Sequence, residues 1–141
     1  MRRIVYEAAL RSGSLVVEAR AARSLANSEV RLGLFDDAQA RLEAVLERLG
    51  EDGDYNALSN THTALAFLFH ERGAYDHAMV HVRRSFALAR AEKHLWALVI
   101  CLDNLGLCHA QLGHGHQAVV AAHVSQRLRE RLSPQEQRPG T

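Results

Sequence analysis

Gly33-Leu34-Phe35-Asp36-Asp37-Ala38, Gly73-Ala74-Tyr75-Asp76-His77-Ala78 and Gly113-His114-Gly115-His116-Gln117-Ala118 are three versions of one short phrase. Their glycines stand forty residues apart twice over, and so do their closing alanines. Self-similarity at a fixed period of this size marks an array of stacked units, each burying its apolar face only against its neighbours.

Working outward, apolar residues recur at helical spacing on both sides of each glycine. The spacing predicts helices over 15–32, from the Asp36-Asp37 pair to Leu49, from Tyr55 to Arg72, from Tyr75 to about Glu92, from Leu95 to Leu112 and from His116 to about Leu132. Ser14 and Asp54 are cap residues for the helices that follow them. Gly33, Gly73 and Gly113 each supply a left-handed cap position. Asp36 and Asp37 place negative charge at a helix start, where the dipole favours it. Sliding the period backwards sets residues 2–12 in register with 42–52. A half repeat is therefore expected at 1–13, then whole repeats at about 14–53, 54–93 and 94–132, seven helices in one domain over 1–132. The opening half repeat points to a segment of a longer protein or to an N-terminal cap. The tail, 133–141, is rich in Pro, Gln and Gly and is expected to be disordered.

The last helix carries Gln126 where Leu46 and Phe86 stand, and Arg129 where Leu49 and Ala89 stand. A polar outer face of this kind suits a terminal repeat, although Leu128 and Leu132 offer a second stripe.

Composition bounds the function. The 141 residues carry a formal net charge of +1, with 48% hydrophobic and 23% charged residues, so no global field draws the chain to nucleic acid or anionic lipid. Residues 1–13 have no uninterrupted apolar run, since Glu7 and Arg11 break it, and no stretch reaches membrane-spanning length. A soluble, cytoplasmic protein is expected. Cys101 and Cys108 lie seven apart, roughly 10 Å along a helix, beyond disulfide reach, and read as reduced buried residues.

Enzyme chemistry has no visible carrier. The chain contains no phosphate-binding glycine loop, no H-E-x-x-H pair, no nucleophile elbow and no kinase signature. Nine histidines raise the question of metal. His77 and His81 are one helical turn apart, and His114 and His116 flank a glycine, yet structural zinc wants four ligands. The plain reading is exposed histidines, no metal and no cofactor.

Helical pairs with a turn glycine, an aromatic two residues on (Phe35, Tyr75) and an alanine three beyond that resemble tetratricopeptide repeats. Leu25-Ala26, Leu65-Ala66 and Leu105-Gly106 match the family's large-then-small pair upstream of the turn. Ala38, Ala78 and Ala118 match its second small site. The forty-residue period exceeds the family's usual thirty-four or so. It resembles the long-helix branch of kinesin light chains and bacterial regulatory proteins, as does Leu102-Asp103-Asn104-Leu105-Gly106. Gly115 departs from the aromatic, Glu29 and His109 depart from the site filled by Phe69, and His62 stands where a large apolar residue is usual.

The resemblance implies an all-α solenoid of antiparallel helix pairs in a right-handed superhelix, with the first helix of each pair lining a concave groove. Position arithmetic then puts Arg20, Arg23, Asn27, Asn56, Asn60, Thr63, Phe67, His70, Trp96, Ile100, Asp103, Asn104 and Leu107 in that groove. This mixture of asparagines, arginines and aromatic anchors suits an extended peptide. A clamp for a chaperone's terminal carboxylate is not expected, because Ala64, Ile100 and Asn104 stand where the resemblance asks for Asn, Lys and Arg or Lys. The expected function is a non-catalytic protein- or peptide-binding scaffold with no direct nucleic-acid or membrane contact. The alternatives are a sensory or coupling segment of a larger bacterial regulator (a transcription activator or nucleotide cyclase), or self-association through the N-terminal half repeat at Val5 and Tyr6.

Overall fold

The structure, a computed structural model, describes residues 3–5 and 14–132. Most of the expected half repeat, including Tyr6, and the expected disordered tail lie outside the described residues. Residues 3–5 are helical and exposed.

Six helices follow: α1 (Leu15–Arg31), α2 (Phe35–Leu49), α3 (Tyr55–Glu71), α4 (Tyr75–Ala91), α5 (Leu95–Gln111) and α6 (Gly115–Arg131). No strand occurs among the described residues. Each boundary falls within a few residues of its sequence expectation. The chain divides into two compact units, Met1–Ala74 and Tyr75–Thr141.

The forty-residue period is visible in backbone chemistry. Ser14, Asp54 and His94 share one register position, and each caps a helix with its side chain. Ser14 Oγ accepts from Val17 N (3.3 Å), Asp54 Oδ1 from Ala57 N (2.9 Å) and His94 Nδ1 from Ala97 N (3.1 Å). At the other end of these helices, Gly33, Gly73 and Gly113 each have φ of 80°. Leu34, Ala74 and His114 then donate their backbone N–H to the carbonyls of Glu29, Phe69 and His109, each at 2.8 Å. This is the Schellman arrangement, which satisfies the last free carbonyls of a helix.

Lys93 occupies the same place after α4. Its φ is 55°, and His94 N donates to Ala89 O at 2.9 Å. A side chain in this region costs roughly 1–2 kcal/mol that glycine avoids. Lys93→Gly is therefore expected to raise the unfolding free energy by about 1 kcal/mol, net of glycine's greater freedom in the unfolded chain. Chemical denaturation reads this directly, and an unchanged or lower midpoint would contradict it.

In the first unit α2 packs on α1, and α3 packs on both. Ala22 and Ala38 are fully buried and Ala26 nearly so, with Leu42, Val45, Leu65 and Leu68 filling the space between helices. In the second unit α5 packs on both α4 and α6. There the small site is Gly106, where an added Cβ would sit 3.5 Å from both Ala118 O and Ala121 Cβ. Side chains that small let α5 and α6 approach closely. Cys101 and Cys108 are free and buried, as their spacing implied. Burial pushes the Cys101 thiol up to about 11 and raises that of Cys108, so neither is a reactive thiolate.

Candidate functional site

Two ion pairs tie α1 to α2. Glu18, near the start of α1, meets Arg48 near the end of α2, and Glu29, near the end of α1, meets Arg41 midway along α2. The crossed order makes the pair antiparallel. Arg41 grips Glu29 with two bonds, Nε donating to Oε1 at 2.9 Å and Nη2 to Oε2 at 3.1 Å. Both glutamates are buried, so the carboxylates of α1 are consumed inside the unit.

The arginines of α1 are placed differently. Arg20 and Arg23 border a cleft of about 50 Å³ between α1 and α3, lined also by Val16, Ala19, Asn56, Ala57, Asn60 and Thr61. Ala19, Ala57 and Thr61 are buried, while Arg20, Asn56 and Asn60 are exposed and Arg23 is half-buried. Thr61 spends its hydroxyl on Ala57 O at 2.7 Å, leaving the arginines and asparagines as the cleft's polar groups. Among the described residues neither arginine has an ion-pair partner.

Of the groove residues expected in this unit, the cleft unites Arg20, Arg23, Asn56 and Asn60. Asn27, Thr63, Phe67 and His70 do not line it. Thr63 is exposed and donates to Ser59 O at 2.9 Å, and His70 Nδ1 lies 3.8 Å from Glu71.

In the second unit two of the expected groove residues meet partners on α6. Ser125 Oγ donates to Asp103 Oδ1 at 2.6 Å, and Arg129 pairs with Asp103 Oδ2. The Arg129 guanidinium lies 5.6 Å from the Trp96 ring centroid. Both side chains serve the contact between α5 and α6. Ser125 is buried there and needs an acceptor. Ile100 and Leu107 are exposed and Asn104 is half-buried, so these three are still available.

The Gly113 turn brings together His109 and His114 rather than the His114 and His116 that flank Gly115. Their Nδ1 atoms are 3.3 Å apart. The His109 pKa is lowered, first by burial, then by the neighbouring His114 and by Arg83. Among the described residues no group of three or more His, Cys, Asp or Glu side chains is placed to hold a metal. No described helix is long and apolar enough to cross a membrane.

Sequence reasoning missed the buried ion pairs, though a signal existed. Glu18 and Arg48 stand where the other repeats have Leu58 and Leu98, and Leu88 and Leu128. Two departures of opposite charge at positions that share one helix contact identify a pair. No protein-family model matches this chain, and no curated protein matches it.

Proposed function

We propose that this chain is a non-catalytic scaffold of the tetratricopeptide type, holding an extended peptide that carries a carboxylate. The α1–α3 cleft carries the reading. Two arginines without ion-pair partners among the described residues and two asparagines surround a floor of small buried side chains. Guanidinium groups bind carboxylates with paired hydrogen bonds, and asparagine amides both donate to and accept from a peptide backbone. Ile100, Asn104 and Leu107 are a second set of available groups on the corresponding helix of the other unit. An intracellular setting and a partner protein as the source of the peptide belong to the same proposal.

A peptide library probes it. Sequences retained by the wild-type chain are expected to be enriched in Asp, Glu or a free C-terminus. The double change Arg20→Glu with Arg23→Glu is expected to abolish their retention while leaving helicity unchanged. Equal retention by the charge-reversed chain would remove the cleft from consideration.

A further inference from the structure

A Schellman turn brings two positions close to each other: the helical residue four before the glycine, and the residue just after it. A hydrophobic contact usually sits there. In the first repeat the two residues are Glu29 and Leu34, in the second Phe69 and Ala74, and in the third His109 and His114. The third turn thus fills a structural contact with two imidazoles. Their rings are tilted by 46°, with centroids 5.5 Å apart, and the backbone bond from His114 N to His109 O at 2.8 Å fixes their spacing.

We propose that His109 Nδ1 and His114 Nδ1 form a two-imidazole chelate for a divalent transition metal, of which zinc is the probe ion. The separation carries the assignment. Tetrahedral zinc with Zn–N bonds of about 2.0–2.1 Å places its ligand atoms roughly 3.3–3.4 Å apart, and the two nitrogens stand 3.3 Å apart. Imidazole nitrogen suits zinc, copper and nickel better than magnesium or calcium. Without metal, one Nδ1–H donates to the other Nδ1. Ligation requires the donor ring to carry its proton on Nε2 instead, so both Nδ1 lone pairs turn to the ion with no net proton lost. Waters complete the coordination, since the described residues bring no third ligand. The turn supplies preorganisation of the backbone: Gly113 at φ 80° keeps the attachment points of the two histidines adjacent before any metal arrives.

Zinc chloride titrated into the full chain, followed by calorimetry and by histidine NMR resonances, tests the site. One zinc per chain is expected, with the resonances of His109 and His114 moving together. His109→Phe combined with His114→Ala installs the residues that the second repeat uses at the same turn, so the helices are retained, as circular dichroism will verify. This variant is expected to bind zinc weaker by about tenfold or more, at least the loss that removing an outer-shell partner brings. His77→Ala, which breaks the other closely spaced histidine pair, is expected to leave binding unchanged. Undiminished binding by the double variant, loss with His77→Ala, or no wild-type binding at millimolar zinc would each overturn the proposal.

Discussion

Arg41→Ala is expected to lower the unfolding free energy by about 3–5 kcal/mol, the range for breaking a buried ion pair from one side. The reason lies with the residue left behind. The Glu29 side chain is 7% exposed and that of Arg41 18%, so removing the guanidinium strands a carboxylate where water reaches it poorly. The exposed pair between Arg72 and Asp36 is the internal control. Its distance is the same 2.9 Å, but the aspartate is 90% exposed, and breaking it should cost no more than about 1 kcal/mol. Geometry alone does not separate the two pairs; burial does. Replacing both partners tests the same point from the other side. Glu29→Met with Arg41→Leu should fall near wild type or above it, because a well-packed apolar pair avoids the desolvation cost. The period supports this choice, since Phe69 and Ala121 occupy the matching positions in other repeats. Urea denaturation of the four proteins decides it, and an Arg41→Ala loss no larger than that of Arg72→Ala would refute the account.

That pair also shows what a forty-residue period reveals and what it hides. Gly33, Gly73 and Gly113 take the same φ because three local turns face the same steric demand, and local demand is written locally. The caps at Ser14 and Asp54 were legible for the same reason. Glu29 announced itself only as a misfit with Phe69. Its partner lies twelve residues away across a turn, so its role appears only once α1 and α2 are laid antiparallel. Asp103 and Trp96 show the converse. Their register placed them with groove residues, but Arg129 and Ser125 on α6 supply partners that Ala89 and Ser85, or Leu49 and Val45, do not supply together. Register fixes where a side chain starts; its neighbours decide whether it remains available.

Leu42→Ala and Ala122→Leu carry the largest contrast that the period allows, because the two residues share one register position. Leu42 is 1% exposed, as α3 packs over α1 and α2 together. Truncating it removes buried methyl groups and leaves a cavity, with an expected loss of about 2–5 kcal/mol. Ala122 is exposed. In its unit α6 packs chiefly on α5, and Val119, Val120 and Val124 are 68%, 48% and 41% exposed. The free face of α6 is therefore only half polar: Gln126 is exposed as its register implied, but three valines share the surface. Ala122→Leu should change stability by no more than about 0.5 kcal/mol, as surface substitutions do. Inverse exchanges of the same two side chains, made at the same register position, thus have unequal consequences depending on whether another helix covers it. A matched pair of denaturation midpoints measures this. A substantial loss from Ala122→Leu would mean that something covers α6 in solution, and its concentration dependence would show whether that cover is a second copy of the chain.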